Sequence, residues 1–378
     1  MKNLPQKISF ILFFSFLIVM ALITVFKPKL DFSENENRVL EKFPEFSAEK
    51  IFNRKFMNGL ESYISDHFVG RTEWIRTKTG AELLSGKRES NGVFILKDRL
   101  AEKLPEPDMK EVDKSIAAIN NFSLDNKNTH IYAMIVPTST GIYSDELPLN
   151  VPQYDQKMFI DEVYDKLSDN IIQLDAYTPL YTNRQQYIYY RNDHHWTTLG
   201  AYYAYDSAVK DMGFTPIPLG KYDIEHANNE FKGTLYSKAL YDKIPADTVD
   251  IYYNTSGPEI TSYEVNDGKE TTEYSSIYFR EYIDKKDKYE TFCGPNEPVA
   301  TIKTNVGNNS KLLIIKDSYA HCYVPFLAQH YSEITMLDLR YINDSYKDIV
   351  NMDEYDDVLF LYNVSTFASD TNIKKLDF

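Results

Sequence analysis

Lys311-Leu312-Leu313-Ile314-Ile315-Lys316-Asp317-Ser318-Tyr319-Ala320-His321 reads as a short buried strand that runs into a tight turn. Residues 311–316 have the length and the β-branched, apolar character of a strand. Val324-Pro325-Phe326-Leu327-Ala328-Gln329 then has helical character. A serine on such a strand-to-helix turn exposes its hydroxyl at the strand's C-terminal end. The helix N-terminus behind it offers unpaired backbone N–H groups to an oxyanion. The turn lacks the Gly-x-Ser-x-Gly pattern, which disfavours the α/β-hydrolase elbow.

Working outward, similar apolar runs recur at 129–137, 171–175, 334–339 and 358–362. Helical patterns near Met109 (Val112, Ile116, Ala117, Ile119) and from Leu199 to Met212 stand among them. Strands alternating with helices imply an α/β fold, a mostly parallel sheet with helices on both faces. Active sites in such sheets lie at strand C-terminal ends, where Ser318 and the segment after Leu361 both fall. Between about Pro216 and Ser310 the alternation weakens, and an insertion of β-hairpin character, roofing the site, is expected there.

A nucleophilic serine needs a base, and Arg191-Asn192-Asp193-His194-His195-Trp196-Thr197 offers one. In an extended segment Asp193 and His195 share a face and His194 turns the other way. An acid beside an imidazole fixes its tautomer and stabilises its protonated form. Asp193, His195 and Ser318 therefore form a candidate acid–base–nucleophile set. The plainer readings are a hydrogen-bonded turn at Asp193 and a helix cap at Ser318. His194 is expected to be structural, and His321 to line the helix start.

The formal charge of −15, from 41 Lys+Arg against 56 Asp+Glu, argues against nucleic acid as partner. Tyr187, Tyr189, Tyr190, Tyr202, Tyr203 and Tyr205 surround the acid–base motif. They suit either sugar rings or a half-buried aromatic layer. Cys293 and Cys322 are the only cysteines. They make one disulfide or none, and Cys322 is expected as a buried thiol behind Ser318. With no cysteine pairs and scattered histidines, no metal site is expected, and no Gly-rich motif signals a phosphate cofactor.

Residues Ile8 to Phe26 form an uncharged apolar run, interrupted by Ser9, Ser15 and Thr24. That matches the ~20 residues needed to span hydrocarbon. Lys2 and Lys7 precede it, Lys27 and Lys29 follow, and no small-x-small cleavage site comes after. The expected organisation is a cytoplasmic tail and transmembrane signal anchor over 1–29 and an extracytoplasmic linker with a helical lead-in over 30–104. A catalytic domain over 105–378 follows, with the insertion at about 216–310. The protein is thus expected at the cell membrane as a single-pass protein, its catalytic domain on the outer face.

Asp193-His194-His195-Trp196-Thr197 with Gly200-Ala201 resembles the signature of the DHHW-motif proteins. These are similar to the SGNH-hydrolase-like alginate O-acetylation proteins, whose signature is Asp-x-His-Trp. Glu36-Asn37-Arg38-Val39-Leu40 with Phe43-Pro44, Tyr63 to Arg71, and Asn91-Gly92-Val93-Phe94 resemble other blocks of the family. So do Ile135-Val136-Pro137-Thr138 and Leu147-Pro148. Asp317-Ser318 resembles the SGNH nucleophile block, with Lys316 where Gly is usual. Acid and base precede the nucleophile, a permuted motif order that triad chemistry tolerates.

The resemblance implies an SGNH-like fold and acyl transfer through an acetyl-serine at Ser318. It implies a polysaccharide acceptor and, as acetyl donor partner, a membrane-bound O-acyltransferase. Trp196, Tyr319, Arg340 and Asn363 are candidates for substrate binding or the oxyanion hole. An acetylesterase with the same triad, and an anchored noncatalytic carbohydrate-binding or scaffold protein, stay open at this point.

Overall fold

The computed structural model describes residues 4–149 and 151–377, so Lys2 of the N-terminal charge pattern lies outside the described residues. The chain divides into two compact units, Met1–Asn91 with Tyr236–Asp242, and Gly92–Leu235 with Lys243–Phe378.

In the first unit, helix α1 (Leu4–Phe26) is 23 residues long. At 1.5 Å per residue that exceeds the ~30 Å of a bilayer core. Among the described residues it is the one helix long and apolar enough to cross a membrane, a test that a signal sequence also passes. Helices α2 (Lys55–Asp66) and α3 (Arg71–Leu84) follow. The Glu36-Asn37-Arg38 block finds its partners at the end of α2 and the start of α3. Arg38 grips both Asp66 oxygens at 2.8 and 2.5 Å, while Arg71 grips Glu36 at 2.7 and 3.0 Å. The two acids are about nine-tenths buried, so these forked pairs are shielded from water.

The hydrogen bond from Arg38 holds the Asp66 carboxyl down at about 2 against the opposing effect of burial. This stabilisation is complete above the ordinary aspartate value of about 4 and is lost as pH falls through the depressed value. Arg38→Ala strands a carboxylate that is mostly buried, and we expect about 1.5–3 kcal/mol of lost stability at pH 7. Amide exchange over residues 36–71 should speed accordingly. The difference from the unsubstituted chain should shrink toward pH 2.

The second unit is built on one sheet. Its strands are β1 (His130–Val136), β2 (Ile171–Gln173), β3 (Ile260–Asn266), β4 (Thr271–Tyr274), β5 (Val299–Thr304), β6 (Lys311–Lys316), β7 (Glu333–Leu337) and β8 (Asp357–Asn363). Their spatial order is β4-β3-β5-β7-β6-β8-β1-β2. The run β7-β6-β8-β1-β2 is parallel throughout. Strands β5, β3 and β4 are added antiparallel.

Alternate residues of β6 serve opposite faces, the strand period of two. Leu313 and Ile315 join a core with Val112, Ile116 and Phe122 of α4 (Met109–Asp125). Leu312 and Ile314 join another with Ala201, Ala204 and Tyr205 of α5 (Thr198–Asp211). Helices thus cover both faces. From β6 the chain goes to β7 on one side and then returns to β8 on the other. The crevice at the C-terminal end of β6 is therefore a topological switch point, and Ser318 stands there.

Three details differ from the sequence reading. The stretch 216–310 supplies a separate antiparallel pair, Asp223–Phe231 with Asp247–Tyr253, and also the three strands that widen the sheet. The helix expected at 324–329 is a single turn, Val324–Leu327, with Pro325 in its first turn. Between it and β6, Ser318–Ala320 winds as a 3₁₀ turn capped by Asp317, so no long helix N-terminus stands behind Ser318. Finally, Tyr189, Tyr190, Tyr202 and Tyr205 are buried, which makes them core rather than a sugar platform.

Candidate active site

Arg191 to His195 is a loop of bends rather than an extended strand. Buried Asp247, from the separate strand pair, holds the loop. Its oxygens accept the Arg191 and Asn192 N–H groups at 2.8 and 2.7 Å and the Tyr187 hydroxyl at 2.6 Å. Asp193 then folds back on the loop. Its Oδ1 accepts the His195 N–H at 3.0 Å and lies 2.6 Å from His195 Nδ1. Acid and base meet through this turn, not through a strand pleat.

The other carboxylate oxygen has its own donors. Thr234 gives Asp193 Oδ2 its backbone N–H at 2.8 Å and its hydroxyl at 3.0 Å. Gly233 makes the approach possible, because a Cβ there would lie 2.2 Å from Asp193 Oδ2. Burial alone would raise Asp193. The two imidazoles and the hydrogen bonds from His195 and Thr234 outweigh it and hold the carboxyl far below the usual range.

His195 is fixed on every side. Its Nε2 lies 2.7 Å from Ser318 Oγ. Tyr289 stacks on the ring at 3.6 Å and 7°. The His194 ring lies 3.9 Å from it at 37°. Two rings this close cannot share one face, so the imidazole is sandwiched between them. His194 is therefore not turned away, as an extended segment would require. Burial, the His194 ring and Arg340 lower His195 to about 4, against the raising effect of Asp193. At neutral pH the imidazole is uncharged and can take a proton.

Ser318 is half-buried on its turn. Asp317 shapes that turn: Oδ1 accepts the Tyr319 N–H at 2.9 Å, and Oδ2 accepts Asn363 N–H and Nδ2 at 2.8 and 2.6 Å. Among the described residues nothing accepts the Ser318 backbone N–H. Lys316 is buried. Its ammonium meets Asn296 at 2.9 Å, His321 Nε2 at 2.7 Å and Asp338 at 3.3 Å. Burial and the neighbouring Lys316 charge push His321 well down, so its ring accepts from the lysine.

The remaining candidates support this frame. Trp196 is fully buried and spends its one donor on the Tyr319 carbonyl at 3.0 Å. The Tyr319 hydroxyl donates to the His194 carbonyl. Asn363 spends both amide hydrogens, on Asp317 and on Thr366 at 2.8 Å. Arg340 forks onto Asp338 at 2.8 and 2.6 Å, and its charge bears on both Asp317 and His195. Both cysteines are free and buried, and burial pushes each thiol up to about 12, which makes it inert. Asp193, His194 and His195 bring three ligand-type atoms within 4.8 Å of one another. Both His195 nitrogens and His194 Nδ1 are already engaged, by Asp193, Ser318 and Thr234.

A sequence model described as DHHW protein matches residues 93–337 of the 378. The chain belongs to the DHHW family. Among solved structures, a DHHW family protein from Eubacterium siraeum is 27% identical with a TM-score of 0.66, over 76% of this chain and 96% of that one. Bacillus cereus PatB1 is 25% identical with a TM-score of 0.64, over 74% and 98%. The same protein with a sulfonyl adduct gives 24%, 0.63, 73% and 95%. No curated protein matches the chain. The family match joins the parallel sheet and the Asp-Ser turn after a central strand, and the SGNH-like fold follows from the three together.

Sequence reasoning missed Tyr289, Gly233, Thr234 and Asp247. All lie in the stretch where periodicity fades, and no local signal ties them to the motif. They make a sharp prediction. Gly233→Ala should cost about 1–3 kcal/mol through overpacking and should displace Asp193. Labelling of Ser318 by a sulfonyl fluoride should fall at least tenfold, while Gly220→Ala, which meets nothing within 4 Å, leaves it unchanged.

Proposed function

We propose that this DHHW protein is an O-acetyltransferase anchored at the outer face of the membrane. It moves acetyl groups onto hydroxyls of a cell-surface or secreted polysaccharide through an acetyl-Ser318 intermediate. The observation that carries the reading is the line of contacts Asp193 Oδ1 to His195 Nδ1 at 2.6 Å and His195 Nε2 to Ser318 Oγ at 2.7 Å. That is the geometry of an activated hydroxyl nucleophile. The acetyl donor partner is a membrane-bound O-acyltransferase, and helix α1 keeps the site near it.

In the first half-reaction His195 Nε2 takes the Ser318 proton as Oγ attacks the acetyl carbonyl. The Ser318 backbone N–H and the Arg340 charge are the groups on hand for the oxyanion. Collapse breaks the bond to the donor's leaving group, which receives the proton from His195. In the second, His195 removes a proton from an acceptor hydroxyl as that oxygen attacks acetyl-Ser318. The ester passes to the acceptor, and Ser318 regains its proton.

The test is the protein with p-nitrophenyl acetate, followed by intact mass and peptide mapping. Acetyl should appear on Ser318, be absent in Ser318→Ala, and drain faster with added saccharide than in water. Drainage by water alone would make the protein an esterase. No adduct in folded protein would sink the catalytic reading. Asp193→Asn should lower the rate by on the order of 10³–10⁴. Because His195 is lowered to about 4, the acid limb of the pH–rate profile should lie below the ordinary imidazole value of 6.5 and run toward 4. An acid limb at 6.5 or above would contradict the buried, neutral imidazole.

A further inference from the structure

The hydrogen bonds around Thr234 fix a proton of His194. The Thr234 hydroxyl has one proton, and ionised Asp193 Oδ2, 3.0 Å away, can only accept it. Thr234 Oγ must then accept from His194 Nδ1, 2.6 Å away, so Nδ1 carries a proton. Its Nε2 has no hydrogen-bond partner among the described residues. The ring is not sealed off: its side chain is 31% exposed, against 7% for His195. The two rings are in contact, with centroids 3.9 Å apart, so a group bound at His195 lies beside His194.

We infer that His194 is an acceptor-binding residue whose Nε2 accepts a hydrogen bond from a hydroxyl next to the one being acetylated. The acceptor is then a vicinal diol, one hydroxyl giving its proton to His195 and its neighbour anchored on His194. Water and isolated alcohols can engage only the first site. This deepens the transferase reading and rests on it.

Two substitutions separate the ring nitrogens. His194→Gln places an amide oxygen near the Nε2 position, whereas His194→Asn keeps a donor near Thr234 and has nothing at Nε2. The full-length protein is acetylated with p-nitrophenyl acetate, and decay of acetyl-Ser318 is followed in water, with 2-propanol and with methyl glucoside. Methyl glucoside should outpace 2-propanol in the unsubstituted protein. Whatever the substitutions do to serine acetylation and hydrolysis, the ratio of the methyl glucoside rate to the 2-propanol rate should fall about tenfold in His194→Asn and be mostly retained in His194→Gln. If His194→Asn slows decay with both alcohols alike and leaves the ratio standing, His194 acts through His195 and the inference falls. It falls also if the ratio survives with no rate changed. Absence of acetyl-Ser318 in the unsubstituted protein, or its decay at the same rate in water as with methyl glucoside, overturns the transferase reading itself and the inference with it.

Discussion

The site is organised around one desolvated charge. Asp193 is 1% exposed, and a carboxylate taken out of water costs several kcal/mol unless donors surround it. Four hydrogen bonds do so: His195 N–H and Nδ1–H on one oxygen, Thr234 N–H and hydroxyl on the other. Each has a structural consequence. The first two fold the motif loop back on itself, so an acid and a base two residues apart share one spot without a strand. The others require the backbone at 233–234 to touch the carboxylate, which only glycine at 233 allows. Asp247 repeats the solution one step further out, collecting the N–H groups of Arg191 and Asn192.

The serine is positioned by a different device. The crevice beside β6 comes from topology, but the turn that fills it is set by polar contacts between strand ends. Asp317 ties the end of β6 to Asn363 at the end of β8, while Lys316 ties it to Asp338 just beyond β7. The three central strands are thus locked at the level where Ser318 emerges. Lys316 does not block the site, because its side chain is held by Asn296, His321 and Asp338.

The central strands were legible because burial on both faces leaves an uninterrupted apolar run. The β6 run, 311–316, matches its strand residue for residue. Asp193, His195 and Ser318 were legible as chemical types in a recognisable order. What could not be read is the set of contacts made by residues far apart in sequence. Tyr289 stacks on His195 from a stretch with no periodicity. Trp196 and Asn363 look like substrate groups until their donors are traced to the Tyr319 carbonyl, Asp317 and Thr366. The orientation of His194 failed for a specific reason: the period of two applies to extended chain, and residues 191–195 bend.

For the proposed reaction, the clamped imidazole also decides where stabilisation falls. In the resting site His195 is neutral, lowered by burial, and gains little from the charge of Asp193. In the proposed reaction it takes the Ser318 proton, and an imidazolium would then form 2.6 Å from a carboxylate already held by its other donors. That attraction is largest in the charge-separated state and small before it, so it lowers the barrier rather than merely tightening the ground state. No side chain need move to realise it, because Tyr289 and His194 already occupy both faces of the ring. For that proposed reaction the insertion that supplies Tyr289 is part of the frame that holds the base, because it covers one face of the imidazole.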